Sequence, residues 1–114
     1  MLEGYRMAID VTQSLIGYNR EKLLFKPPEE GQEPEYWSFR IAAIVALRTP
    51  KEGQSASEKY DTERLMALIH RKDSVTLKSE DVVLLKMLVG DTFPAEIVGP
   101  MFRILEPDTY KDEE

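Results

Sequence analysis

The sequence predicts a mainly helical α+β domain, a four-helix core carrying a small N-terminal β-hairpin. Three observations predict it. Apolar residues recur at helical spacing through the second half of the chain, Met7 to Leu15 alternates apolar with polar, and proline or glycine separates the periodic segments. The chain has 114 residues, 42% of them hydrophobic and 32% charged, which suits one soluble globular domain spanning 1–114.

Residues 1–6 read as a flexible lead-in. Met7, Ile9 and Val11 then alternate with Ala8, Asp10 and Thr12, the pattern of a half-buried strand near 7–15. Gly17-Tyr18-Asn19 supplies turn residues, and Leu23-Leu24-Phe25 is the apolar run of a returning strand near 22–26. A two-stranded hairpin is barely stable alone, so it must pack on the helices. From Pro27 to Pro34 the chain has three prolines and the glutamates Glu29, Glu30 and Glu33, which fit only an exposed loop.

A helix is expected over 35–48, with Pro34 at its first turn and Glu35 near its positive end. Ala42, Ala43 and Ala46 allow another helix to approach closely. Thr49-Pro50 and Gly53 end it. Ser55 and Glu58 form a capping-box pattern opening a helix over 56–71. Its apolar stripe is Tyr60, Leu65, Leu68 and Ile69. Lys59, Glu63 and Arg64 face water, and His70, Arg71 and Lys72 fall at the negative end. Val75-Thr76-Leu77 reads as a brief extended segment with Val75 and Leu77 turned to the core.

The next helix, 79–89, is the centre of the predicted core. Seven of the eight residues from Val82 to Val89 are apolar, so they surround the helix axis almost completely. Lys86 is its expected route to solvent and Gly90 its expected left-handed stop. The last helix is expected over 94–106, capped by Asp91 or Thr92, with Ile97, Val98, Met101, Ile104 and Leu105 on one side. Gly99-Pro100 inside it predicts a kink or restart. Pro107 stops it, and 107–114 reads as a flexible acidic tail.

Composition and motifs narrow the function. The chain has no cysteine, which excludes disulfides, thiolate zinc sites and cysteine nucleophiles. A net charge of −6 and a pI near 4.9 oppose binding to nucleic acid. The sequence has no apolar run of membrane-spanning length and no leader pattern, so the expected compartment is the cytoplasm. His70 is the lone histidine, with no G-x-S-x-G elbow and no usual zinc ligands to accompany it. The segment 72–78 lacks the alternating oxygens of a calcium loop, and no glycine-rich phosphate loop occurs. The carboxylate pairs Glu29/Glu30, Glu80/Asp81 and Asp112/Glu113 fall on a loop, a helix start and a tail, where nothing would shift a pKa for acid–base work. The expectation is a chain with no enzymatic activity, cofactor or metal. Tyr36 and Trp37, beside Glu29, Glu30 and Glu33, are the candidate contact residues, because tyrosine and tryptophan concentrate at interaction hot spots.

The order of these features resembles small proteins encoded by tailed phages and prophages. The likeness lies in Ile9-Asp10-Val11-Thr12-Gln13-Ser14-Leu15 with Gly17 after it, the alanine-bearing mid-chain helix, and the capped start Ser55-Ala56-Ser57-Glu58-Lys59-Tyr60. It continues in Leu77-Lys78-Ser79-Glu80-Asp81, Leu84-Leu85-Lys86, Gly90, Ile97-Val98-Gly99 and Ile104-Leu105-Glu106. It covers about residues 8–106, and the loop after Phe25 and the long acidic tail depart from it. The resemblance implies a phage or prophage context and no particular chemistry. The expected function is a non-enzymatic protein–protein interaction module that assists head or tail assembly, in the host cytoplasm or the virion. Its partner would be another viral or host protein, or a second copy through a shared helix face. The alternative is an acidic inhibitor of a host nucleic-acid-binding enzyme.

Overall fold

In the computed structural model, which describes residues 6–26, 29–49 and 51–110, the chain forms four helices and two small antiparallel sheets. The elements are β1 (Arg6–Asp10), β2 (Leu24–Lys26), β3 (Glu35–Tyr36), α1 (Phe39–Arg48), α2 (Ala56–Arg71), β4 (Ser74–Lys78), α3 (Ser79–Thr92) and α4 (Ala95–Leu105).

The N-terminal strand does not pair with its neighbour in sequence. β1 pairs with β4, Ile9 opposite Val75 and Ala8 opposite Thr76, whereas β2 pairs with β3. Of the expected hairpin the turn and the pairing next to it survive: Arg20 N–H donates to Gly17 O at 2.9 Å, Ile16 bridges Lys22, and Leu23 N–H donates to Leu15 O at 3.1 Å, while residues 7–10 pair elsewhere. The reason lies in β4. Val75 and Leu77 alternate with exposed Ser74, Thr76 and Lys78, and a strand buried on one face takes whichever partner continues that face. Ile9 does so, and Val11 N–H extends the pairing to Asp73 O at 2.9 Å.

The helices follow their sequence signals with instructive exceptions. α2 starts on the expected capping box: Ser55 Oγ accepts from Glu58 N–H at 3.1 Å, and Glu58 Oε1 accepts from Ser55 N–H at 2.7 Å. Tyr60 is nevertheless exposed, and buried Thr62 takes a place on the inner stripe with Leu65 and Ile69. Arg64, expected in water, is half-buried and donates to Asp81 Oδ1 at 2.9 Å. Asp81 also receives Lys78 N–H, so a buried carboxylate serves both an ion pair and the start of α3. α1 begins at Phe39, four residues later than expected, because Ser38 Oγ caps it by accepting from Ile41 N–H. Pro34 and Glu35 therefore lie outside it. Ala42, Ala43 and Ala46 are all fully buried, as their small size suggests.

α3 runs through Gly90 to Thr92, so Gly90 is a helical residue on an exposed turn rather than a C-terminal cap. Pro94 precedes α4, its carbonyl accepting from Ile97 and Val98 N–H, and Asp91 and Thr92 belong to α3. α4 continues unbroken through Gly99 and Pro100. One proline removes one N–H donor, and here its ring is buried. The core lines α3 on Val82, Leu85, Leu88 and Val89, while Val83 and Met87 stand exposed. Lys86 is not the open route to water.

Instead Lys86 lies beneath a strap. Its ammonium donates to Glu106 and to Tyr110 Oη at 3.1 Å, and it sits 5.1 and 4.9 Å from the ring centres of Phe102 and Tyr110. Residues 106–110 close as a turn, with Thr109 and Tyr110 N–H both donating to Glu106 O. That part of the tail is folded; 111–114 lie outside the described residues. The bonds to Glu106 and then Tyr110 raise the Lys86 pKa above its ordinary 10.5. The strap's contribution is thus fully present below the ordinary lysine value and is lost as pH rises through the raised one. Lys86→Met should speed amide exchange at Thr109 and Tyr110 by hydrogen-exchange NMR. Because both partners are partly exposed, it should lower global stability by ~1 kcal/mol or less.

Candidate functional site

The region between β1 and α1 is built on three backbone segments that meet in a closed ring. Leu15 N–H donates to Trp37 O at 2.9 Å, Trp37 N–H to Leu23 O at 2.8 Å, and Leu23 N–H to Leu15 O at 3.1 Å. Each of the three residues thereby satisfies both its donor and its acceptor. Gly17 stands at the edge of this ring, where a Cβ would lie 2.7 Å from Leu23 Cδ2 and would push that side chain aside.

The ring fixes which side chains point inward. Leu15 is fully buried, and Leu23, Phe25 and Trp37 are half-buried. The Trp37 indole lies edge-on between Phe25, 4.8 Å away, and Phe93, 5.5 Å away, pinning the β2–β3 ribbon to the loop joining α3 and α4. Trp37 therefore supports the ribbon from behind.

The alternate residues point the other way. Ile16 opposes Lys22, Leu24 opposes Tyr36, and residues two apart share a face, so Ile16, Lys22, Leu24 and Tyr36 form one outer surface. Ile16 is 45% exposed, Leu24 51% and Tyr36 37%, with Tyr18 at 82% on the adjoining turn. These are four of the seven exposed large hydrophobic residues among those described. The Lys22 ammonium lies 5.5 Å from the Tyr36 ring centre.

Beside this face runs the acidic loop. Glu29, Glu30, Glu33 and Glu35 are all exposed, and no ion pair among the described residues engages them. Pro27 and Pro28 lie outside the described residues. Of the residues singled out in the sequence, Tyr36, Glu29, Glu30 and Glu33 thus share one exposed region, and Trp37 holds it in place. Ile16 and Leu24 were not singled out. Leu24 sits in an unbroken apolar run, whose period does not say which member faces outward.

At the base of the region, Asp10 Oδ1 accepts from Thr12 Oγ1 at 2.6 Å and from Thr12 N–H at 2.9 Å. These bonds, the hydroxyl first, hold the Asp10 carboxyl below its ordinary range. Its contribution is present above the ordinary aspartate value and lost as pH falls through the lowered one. Thr12→Val removes the larger cause, and an NMR titration should find the Asp10 pKa moved upward toward the ordinary value.

Other chemical features lie apart from this face. His70 is exposed in the last turn of α2, and no group of three or more histidine, aspartate or glutamate side chains placed to hold a metal occurs among the described residues. No helix among them is long and apolar enough to cross a membrane. A shallow groove of about 360 Å³ runs along α2 between Tyr60 and Lys72. Compared with protein-family models, curated proteins and solved structures, the chain matches none.

Proposed function

We propose that this chain is a non-enzymatic protein–protein interaction module of phage or prophage origin that assists virion assembly, and that it docks its partner on the outer face of the β2–β3 ribbon. One observation carries the reading: Ile16, Leu24 and Tyr36 share one exposed face while the folding contacts of the ribbon lie on the other. Apolar side chains gathered on a surface they do not help to fold are what a docking site requires. The unpaired glutamates beside them favour a partner with basic residues around an apolar centre. The phage context rests on the sequence resemblance over residues 8–106. The same glutamates favour a second reading, an acidic inhibitor of a basic host enzyme, but Lys22 and Lys26 interrupt its negative surface.

A photoreactive side chain placed at Leu24 tests the site in phage-producing cells, with one at exposed Asp91 for comparison. The Leu24 position should cross-link to one discrete protein and the Asp91 position to none. Equal yields at both, or none at Leu24, contradict the reading. If the product is a virion protein, the assembly role stands; if it is a host nucleic-acid enzyme, the inhibitor reading replaces it.

A further inference from the structure

The α2 groove has the chemistry that the ribbon lacks. It is lined by Tyr60, Arg64, Ala67, Leu68, Arg71 and Lys72, with Glu63 as its one anion; Arg64 is already paired with Asp81 and Asp61, which leaves Arg71 and Lys72 as the cations it offers. Arg71 and Lys72 make no ion pair with any described residue. The ribbon carries the opposite balance, with Glu29, Glu30, Glu33 and Glu35 against Lys22 and Lys26. Each surface also has an apolar centre, exposed Leu24 and Tyr36 on the ribbon, and Ala67 and Leu68 beside exposed Tyr60 in the groove.

We propose that the occupant of the α2 groove is the β2–β3 ribbon of a second copy of this chain. Leu24 and Tyr36 enter between Tyr60 and Leu68, and the loop glutamates meet Arg71 and Lys72. The two surfaces share no residue and lie on different elements, and the proposed contact runs head-to-tail, one ribbon to one groove, rather than as a reciprocal two-fold pair. A head-to-tail contact leaves one free ribbon and one free groove at the ends of every open assembly. It therefore builds rings when the rotation closes and open chains when it does not. Such propagation is the mode of growth that an assembly protein needs. The net charge of −6 opposes it at long range, yet at ~0.1 M salt the screening length is ~10 Å and the apposed charges dominate. The inference rests on the ribbon being a docking face and adds the identity of what it docks.

Sedimentation of the purified full chain, with concentration and salt varied, tests it. At ~0.1 M salt the chain should form oligomers that grow with concentration, and at ~1 M salt, where screening shortens to ~3 Å, association should weaken at least tenfold. The ribbon variant E29K/E30K/E33K/E35K and the groove variant R71E/K72E should each remain monomeric alone. Mixed, they should associate again, because each reversed surface now meets its complement. The changed residues are exposed, and circular dichroism checks each fold; the single reversals E33K and R71E give the same readout with smaller perturbation. A wild-type chain monomeric throughout, association indifferent to salt, or a mixture that stays monomeric overturns the proposal. A monomeric chain that still cross-links another protein through Leu24 overturns it while leaving the docking face intact.

Discussion

Leu85→Ala should lower the unfolding free energy by about 2–5 kcal/mol, the range for truncating a buried leucine whose surroundings relax only in part. Leu85 is fully buried on α3, with Val82, Leu88 and Val89 covered on the same side. The companion change Val83→Ala, on the same helix but exposed, should stay within ~0.5 kcal/mol. Urea unfolding monitored by circular dichroism checks both, with the midpoint shifting and the slope unchanged. The contrast locates the buried side of a helix whose sequence is apolar nearly all round. Equal losses at the two positions would mean that the face bearing Val83 and Met87 is covered in solution.

Trp37→Ala should cost ~2–4 kcal/mol, somewhat less than a fully buried aromatic because the indole is half-exposed. The larger effect is local. Without the indole, Phe25 loses its partner and the contact to Phe93 disappears, leaving a short ribbon that is marginal by itself. Hydrogen exchange should therefore quicken at the Leu15, Leu23 and residue-37 amides, whose bonds close the backbone ring, before it changes at Leu85 or Leu88. Uniform acceleration across all of them would mean that ribbon and core unfold as one unit.

The helices were legible because their signals are local. Ser55 and Glu58 fix the start of α2 within four residues, and the alanines of α1 announce close packing without reference to anything distant. The failures share a cause in contacts that no short window contains. Alternation in Met7–Val11 tells which residues share a face but not which strand lies alongside, and that strand proved to be β4, more than sixty residues on. Pro34-Glu35 imitates a helix start, but Ser38 holds the cap, and residues 35–36 are drawn into pairing with β2. Gly90 looks like a stop, yet it does not take the left-handed conformation a stop needs, and the helix continues to Thr92. A glycine inside a helix costs ~1 kcal/mol, which neighbouring burial of Leu88 and Val89 offsets. Lys86 was legible as an interruption in an apolar run, but the strap that covers it, Glu106 to Tyr110, lies 20 to 24 residues further on.

The site divides in the same way. Tyr36 stands out in the sequence because tyrosine and tryptophan concentrate at interaction hot spots, and it and the neighbouring glutamates are exposed. Ile16 and Leu24 could not be separated from the core leucines beside them. Their outward direction follows from the ring joining Leu15, Leu23 and Trp37, which closes three segments far apart in the chain. The basic lining of the α2 groove was visible only as a run at a helix end, where His70, Arg71 and Lys72 already had a dipole explanation.

On the proposed reading the ribbon is held together from behind and docks its partner on the outer face, and the double variant Leu24→Thr/Tyr36→Thr, which places no like charges opposite each other, separates those two roles. Thermal unfolding and partner cross-linking are measured on the same protein, with the photoreactive group placed at exposed Tyr18. The melting temperature should stay within about 5 °C of the wild type, as expected for two exposed positions, while cross-linking falls at least tenfold. A melting temperature lowered by ~10 °C or more would place Leu24 and Tyr36 in the folding core, and undiminished cross-linking would put the docking surface elsewhere.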